Sequence, residues 1–371
     1  MNKIFCFLAI ILLTFSNLPA AEILHKENMK NNAVDLSKAN LDNPFGVLEF
    51  LHWNHSWNNY QYPGDRDLER IISLMQGAGV GWVRLDFLWG DIEAAEGRFD
   101  FAKYDNIVKL LKSKGIQILG ILHYSTNWAS SCGEWNCPPK DNQVFVNYAS
   151  KVIQRYKDQV KYWEVWNEPD SATYWKQQDS LKSYCVLLKE VYIAAKKIDP
   201  ECKILNGGFA NGLGSINHLY DNGAKDYFDI LNIHFFQSPL LGKNIIKAVA
   251  SYPKLAYKIM ARNGDSNKKI WITEIGCPGV KMGLEVDNWW MGKNPTETQQ
   301  AKWLKDVYAE LLKNPQVEKI FWAFFRDTKK HFNTGVDYFG LVRWDYSAKP
   351  SFKAYKECFR EWKKNKAVKA K

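Results

Sequence analysis

Residues 160–169 read Val-Lys-Tyr-Trp-Glu-Val-Trp-Asn-Glu-Pro, and this stretch decides the fold prediction. A β-branched and aromatic run of this length is typical of a buried strand. The run ends in Asn167 and Glu168, before a proline that cannot donate to a strand ladder. A carboxylate at the end of a buried strand is costly unless it is paired or used. The stretch therefore predicts a strand that delivers Glu168 to a functional edge of a sheet.

Seven similar apolar runs occur along the chain, separated by segments of helical periodicity. The eight predicted strands are Phe45–Trp53, Gly81–Trp89, Gln117–Ser125, Val160–Glu168, Cys202–Ala210, Phe228–Phe236, Lys269–Gly276 and Lys319–Asp327. Eight buried strands alternating with helices favour an α/β fold with a parallel sheet, closed as a (β/α)8 TIM barrel in a single catalytic domain. No G-x-G-x-x-G motif follows the first strand, which disfavours an open dinucleotide-binding sheet.

The 371 residues fit one such barrel with short additions at each end. Lys3 and the apolar run 4–15, followed by small residues at 20–21, predict a signal peptide over 1–21. We expect a loosely ordered segment at 22–42, the barrel at 43–360 and a basic tail at 361–371. The mature protein is then secreted, to the periplasm or the medium, without stable insertion into a membrane.

The amino-acid composition limits the classes of molecule that the protein is expected to bind. Half of the net charge of +10 lies in residues 360–371, so we expect no nucleic-acid binding, although affinity for an acidic polysaccharide stays open. The 16 tryptophans are a surplus of flat rings that suits sugar stacking, and an aromatic-rich core is the other interpretation. We expect a monomer that needs no cofactor.

Seven cysteines accompany the predicted export, and Cys6 leaves with the signal peptide. Disulfides are permitted outside the cytoplasm. Cys132 and Cys137 flank a four-residue loop and are the best candidate pair, because C-x4-C without further ligands is a poor zinc signature. The other four form either buried thiols or one more bridge.

Polar and aromatic side chains recur at the carboxyl ends of the predicted strands, where (β/α)8 barrels place their chemistry. Glu168 and Glu274 stand out, because each follows an apolar run. Two carboxylates on facing strands are what acid–base cleavage of an acetal requires. The structural alternative is that each glutamate pairs with an arginine such as Arg84 or Arg343.

The segment Trp166-Asn167-Glu168-Pro169 resembles the W-N-E-P signature of glycoside hydrolase clan A, and Trp271–Gly276 resembles its seventh-strand segment. The resemblance covers residues 45–360 and is closest to family 39-like members, with family 5 also possible. It implies a retaining mechanism in which Glu168 is the acid/base and Glu274 the nucleophile.

The resemblance also implies roles for neighbouring residues. Asn167 is expected to bind the sugar 2-hydroxyl, Arg84 to orient Glu274, and Trp322 to form the floor under the reacting ring. His234 and His123 are expected near Glu274 and the sugar. Tryptophans at strand ends and loops are candidate stacking platforms, and we select Trp89, Trp128 and Trp289 from the set that also includes Trp53, Trp57, Trp135 and Trp290.

Three alternatives stay open. A metal-dependent barrel hydrolase would use ligands from His52, His55, His123, His234 and Asp327. A non-catalytic barrel would bind a polysaccharide without cleaving it. A transglycosylase would share every catalytic residue. The main prediction is a hydrolase that cleaves O-glycosidic bonds in a polysaccharide or oligosaccharide, and the sequence does not name the sugar.

Overall fold

A computed structural model describes residues 40–241, 244–287 and 293–369. The predicted signal peptide, residues 22–39, Trp289, Trp290 and the last two residues of the tail lie outside these ranges. No helix in the described part of the chain is both long and apolar enough to cross a membrane.

Eight parallel strands form a closed barrel in chain order, which confirms the predicted (β/α)8 architecture. The strands are β1 (Phe45–Leu48), β2 (Trp82–Leu88), β3 (Gln117–His123), β4 (Tyr162–Val165), β5 (Lys203–Asn206), β6 (Ile230–His234), β7 (Lys269–Ile275) and β8 (Val317–Ala323). The α-helices are α1 (Asp65–Ala78), α2 (Trp89–Ile92), α3 (Ala102–Ser113), α4 (Asn142–Tyr156), α5 (Lys182–Ile198), α6 (Leu213–Asp221), α7 (Ile245–Arg262), α8 (Glu297–Leu311) and α9 (Pro350–Lys369).

Several observed strands are shorter than the apolar runs that predicted them. β4 stops at Val165 because Trp166 and Glu168 both adopt left-handed backbone conformations, with φ of 67° and 43°. Glu168 therefore lies on the turn beyond β4. The last helix, α9, continues through most of the segment predicted as a basic tail and ends at Lys369.

The lower interior of the barrel is filled by apolar side chains, which leaves the upper interior for polar ones. Trp82, Leu119, Leu205, Ile230, Trp271 and Phe321 form one buried cluster there. Because strand side chains alternate between faces, Arg84 and Asp86 follow Trp82 on the inner face of β2. A larger core fills the space between barrel and helices. Its buried aromatic and aliphatic side chains each contribute roughly 1.5–3 kcal/mol on burial.

Candidate active site

Arg84 is the centre of the polar upper interior. Its Nε and Nη2 each lie 2.7 Å from an oxygen of Glu164, and Nη1 lies 2.5 Å from Glu274 Oε1. Nη2 also donates to Asn167 Oδ1 at 2.9 Å. Burial alone lowers the pKa of Arg84, but the charges of Glu164 and Glu274 outweigh burial and raise it. The guanidinium is therefore a permanent charge that joins three strand ends.

Glu164 shares Arg84 with Glu274, so the pairing with an arginine that the structural alternative expected is present for Glu274 and absent for Glu168 among the described contacts. Glu164 is fully buried on β4, pairs bidentately with Arg84 and accepts a bond from Gly208 N at 3.0 Å. Sequence reasoning missed it, although its inward position two residues after Tyr162 was a usable signal. Arg343, the other arginine considered, pairs with Glu297 of α8 instead.

The two predicted catalytic glutamates face each other. One oxygen of Glu168 and one of Glu274 lie within 4.8 Å of each other, and His234 has a nitrogen within the same distance. Retaining glycosidases place their carboxyl groups about 5–5.5 Å apart, whereas inverting enzymes need a wider gap for water. The short separation thus favours direct attack by one carboxylate.

The surroundings of the two carboxyl groups differ. Burial, followed by the charge of Asp170, raises the pKa of Glu168 to about 8. Burial also leaves the pKa of Glu274 raised, although the neighbouring His234 and Arg84 act in the opposite direction. The contact with Arg84 favours the carboxylate form of Glu274, whereas the pKa of about 8 favours the protonated form of Glu168 at neutral pH.

His234 and Asn167 complete what we call the catalytic cluster: Arg84, Glu164, Asn167, Glu168, His234 and Glu274. His234 Nδ1 lies 2.7 Å from Glu168 Oε1, and Nε2 lies 3.8 Å from Glu274 Oε1. Asn167 Nδ2 donates to Tyr124 Oη at 3.2 Å. The structure therefore brings together six residues from four strands or their carboxyl-terminal turns.

A second group at the strand ends, the His52–Asp86–His123 cluster, is buried but poorly bonded. His123 Nε2 and His52 Nε2 lie 3.4 and 3.9 Å from Asp86 Oδ2. Asp86 Oδ1, His52 Nδ1 and both nitrogens of His123 have no hydrogen-bond partner among the described residues. Although burial opposes ionisation, the neighbouring His123 and His52 lower the pKa of Asp86 to about 2. Buried polar atoms without partners are costly, so this cluster is a candidate surface for binding a ligand.

Two of the predicted stacking tryptophans are core residues instead. Trp89 is fully buried, stacks on Tyr148 and donates to Glu93. Trp322 is fully buried on the outer face of β8, against Trp303 of α8, since its neighbour Phe321 points inward. It cannot form the floor of the site. The error arose because sequence runs placed these residues near strand ends without fixing which face they occupy.

Trp128 is half-buried, packs edge-on against Trp89 and donates to Glu93 O, so Trp89 holds it in place. Trp289 lies outside the described residues. A different aromatic wall stands beside Asn167, formed by Tyr124, Tyr174 and Trp135. Trp135 is 46% exposed and sits between Cys132 and Cys137.

The Cys132–Cys137 disulfide is present as predicted. Cys185, Cys202, Cys277 and Cys358 are buried free thiols. The disulfide thus closes the loop that carries Trp135 toward the strand ends. Because a cross-linked loop has fewer accessible conformations, this bridge restricts where the ring can lie.

The positions of the candidate ligand atoms give little support to the hypothesis of a metal-dependent hydrolase. Within the described ranges, the group of donors close enough to share a cation is Glu168, His234 and Glu274, with neither His52, His55, His123 nor Asp327 in it. The Arg84 guanidinium beside Glu274 opposes a cation there. Asp327 instead pairs with Lys349 at 2.7 Å.

The chain therefore forms a closed (β/α)8 barrel with Glu168 just after β4 and Glu274 on β7. The model of glycosyl hydrolase family 10 matches residues 86–211, which include Asn167 and Glu168. This match covers about a third of the chain and agrees with the predicted resemblance to glycoside hydrolase clan A.

The chain is also similar to individual proteins and to solved structures of the same fold. The chain is 23% identical over 245 residues to Endo-1,4-beta-xylanase 4 of Arabidopsis thaliana, covering 62% of this chain and 38% of that protein. The solved structure of a family 39 glycoside hydrolase from Bacteroides cellulosilyticus WH2 superposes with a TM-score of 0.66 and 22% identity, covering 88% of this chain and 64% of that one. A family 5 enzyme of Streptomyces cattleya gives a TM-score of 0.65 at 15% identity, with 86% and 80% covered. The chain thus spans about two fifths of the length of this xylanase.

Proposed function

We propose that the protein is a retaining glycoside hydrolase that works by double displacement, with Glu168 as acid/base and Glu274 as nucleophile. The observation that carries the proposal is the pair of carboxyl groups within 4.8 Å, one against Arg84 and the other against His234. The nucleophile Glu274 needs to be an anion, and the acid/base Glu168 needs to carry a proton. The contacts of each group support these two protonation states.

In the first step, a Glu274 oxygen bonds to the anomeric carbon while the glycosidic bond breaks, and the leaving oxygen takes the proton of Glu168. In the second, Glu168 removes a proton from water, the water oxygen bonds to the anomeric carbon, and Glu274 departs as the carboxylate. Two inversions leave the configuration unchanged. Arg84 keeps Glu274 oriented between the two steps.

For the substrate we propose a neutral, β-linked sugar. Asp86, whose pKa of about 2 makes it an anion at neutral pH, lies two residues beyond Arg84 on the same face of β2. It would repel a uronate carboxylate, and the four hydrogen bonds of Arg84 already go to Glu164, Glu274 and Asn167. Hydroxyl groups, which donate and accept, suit the histidines and Asp86. The xylanase relatives make xylan and β-xylosides the first compounds to test.

We further propose that the enzyme is exported and acts on a polysaccharide. The Lys3 and 4–15 pattern supports export. Trp135 and the Tyr124–Tyr174 stack offer flat surfaces beyond the catalytic pair, which suits a chain longer than one sugar. Mass spectrometry of protein recovered from the medium or periplasm should show a chain that begins near residue 21; a full-length cytoplasmic product would contradict export.

The activity is tested by turnover on aryl β-glycosides and polysaccharides, with wild type, Glu168→Ala, Glu274→Ala and the exposed control Glu310→Ala. We expect both catalytic variants to lose at least about a thousandfold, roughly 4 kcal/mol of barrier, while the control stays active. Activity that survives loss of Glu274 would refute the proposed mechanism.

A further inference from the structure

Behind Glu168 a continuous hydrogen-bond chain runs into the barrel through His234, Thr273, Asn232 and Asn206. His234 Nε2 lies 3.0 Å from Thr273 Oγ1, and Thr273 Oγ1 donates to Asn232 Oδ1 at 2.7 Å. All of these residues except Glu168 are almost completely buried. Because this series of hydrogen bonds is shielded from water, the positions of its protons are determined by the protein alone.

Backbone groups determine the orientation of the Asn206 and Asn232 side chains at the inner end of this hydrogen-bond series. Asn232 N donates to Asn206 Oδ1 at 2.8 Å, so the Asn206 amide nitrogen faces Gly207 O and Asn232 O. In return, Asn232 Nδ2 donates to Asn206 O at 3.2 Å. The remaining side-chain atom of Asn232, Oδ1, can only accept, and it therefore receives the hydroxyl proton of Thr273.

The direction of the Thr273–Asn232 hydrogen bond in turn determines which nitrogen of His234 carries a proton. With its proton committed to Asn232, Thr273 Oγ1 must accept, so His234 Nε2 carries a hydrogen. A neutral imidazole then has a bare Nδ1, 2.7 Å from Glu168 Oε1. Burial lowers the pKa of His234, which supports the neutral ring.

We propose that Thr273 is a positioning residue that fixes the Nε2–H tautomer of His234, so that His234 Nδ1 holds the acid proton of Glu168 in the resting enzyme. The inference rests on the proposed function, because it assigns the state of the same acid/base. When Glu168 has given its proton to the leaving group, its carboxylate faces the lone pair of Nδ1. That repulsion makes Glu168 a stronger base for the water of the second step.

Close packing keeps the imidazole in line with both partners. A Cβ at Gly208 would fall 2.0 Å from His234 Nε2, so a glycine is required where β5 leads into its turn. Its own nitrogen donates to Glu164. His234 thus has little freedom to rotate away from Thr273.

Other charges also act on this pair, and any pH dependence includes their effect. The charged and titratable groups that face Glu168 and His234 from the surrounding elements are Arg84, Glu164, Asp170, Glu274, Tyr124 and Tyr174. None of these groups contacts Thr273 by a hydrogen bond in the described part of the chain, so a change at Thr273 leaves their charges in place.

The first test reads the tautomer directly in the wild-type protein. Nitrogen-15 NMR of histidine-labelled enzyme, with His234 assigned by comparison with His234→Gln, should show a hydrogen-free Nδ1 and a protonated Nε2 near neutral pH. The opposite tautomer would overturn the proposal, and this readout does not depend on activity.

The second test compares Thr273→Val, Thr273→Ser and the exposed control Thr298→Val by the pH profile of kcat/KM. Without the hydroxyl, Nδ1–H can donate to the Glu168 carboxylate, so Thr273→Val should move the alkaline limb about one pH unit toward acid. Thr273→Ser and Thr298→Val should keep the wild-type limb. An unmoved limb in Thr273→Val, or an equal shift in Thr273→Ser, would overturn the inference while the two-glutamate mechanism stands. If no variant and no wild type cleaves any glycoside, the proposed function fails instead.

Discussion

The catalytic cluster and the His52–Asp86–His123 cluster are neighbours at the same end of the barrel, yet they are bonded in opposite ways. In the catalytic cluster, Arg84 alone makes four side-chain hydrogen bonds, and His234 uses both nitrogens. In the second cluster, four buried polar atoms have no partner among the described residues. Both clusters are almost fully enclosed.

Under the proposed function, the catalytic cluster holds the groups that react, and the His52–Asp86–His123 cluster holds groups that bind sugar hydroxyls. Reacting groups gain from being preorganised, because no reorganisation is then needed as charge develops. Groups that recognise sugar hydroxyls must remain unpaired until the sugar arrives, and the free protein bears that cost. Substitutions in the catalytic cluster should therefore reduce stability much more than substitutions in the His52–Asp86–His123 cluster.

Arg84→Met should have the largest effect, because it leaves Glu164 as a buried charge without its partner. We expect the free energy of unfolding to fall by about 3–5 kcal/mol and kcat/KM by about a thousandfold or more. Urea unfolding and steady-state kinetics measure the two. Arg343→Met, which removes a half-buried ion pair on α8, is the matched control and should stay active. A stable, active Arg84→Met protein would remove the distinction between the clusters.

His123→Phe should lower activity with little change in stability. The phenyl ring has a similar size and removes the unpaired Nδ1, but it also removes the 3.4 Å contact between Nε2 and Asp86 Oδ2. We expect kcat/KM to fall roughly 10- to 100-fold, as lost substrate hydrogen bonds imply, and the free energy of unfolding to change by less than about 1 kcal/mol because the two effects on stability oppose each other. If thermal melts show strong destabilisation instead, the imidazole has a structural partner and the comparison fails.

The alkaline limb of the pH profile of kcat/KM tests whether Glu168 is the general acid. Its raised pKa of about 8 means that the acid form is present below that pH and lost above it. Activity should thus fall about tenfold per unit as pH rises beyond 8. An initial-rate profile of kcat/KM checks this, and a limb near the ordinary carboxyl range would show that Glu168 is not the acid.

Trp135→Ala should have the smallest effect. The half-exposed ring lies beyond the reacting pair, so its loss should raise KM for a polysaccharide several-fold and leave kcat/KM for a short aryl glycoside within about twofold. Equal effects on both substrates would place Trp135 at the reacting sugar instead.

The sequence predicted the barrel and the two glutamates because both depend on local patterns. Buried strands show as apolar runs, and Glu168 and Glu274 interrupt those runs at their ends. Trp322 and Trp89 were assigned wrongly because a run does not reveal which side chains point into the barrel. Glu164 was missed for a related reason: it lies inside a run, and its partner is 80 residues away in sequence.

The stereochemistry of azide rescue distinguishes double displacement at Glu168 and Glu274 from other mechanisms. Azide attacking the glycosyl-enzyme of Glu168→Ala should give a β-glycosyl azide, with configuration retained. In Glu274→Ala, azide replaces the nucleophile and a single displacement should give the α-glycosyl azide. Proton NMR of the products distinguishes the two. The account predicts opposite anomers from the two variants, and the same anomer from both, or rescue of neither, would contradict it.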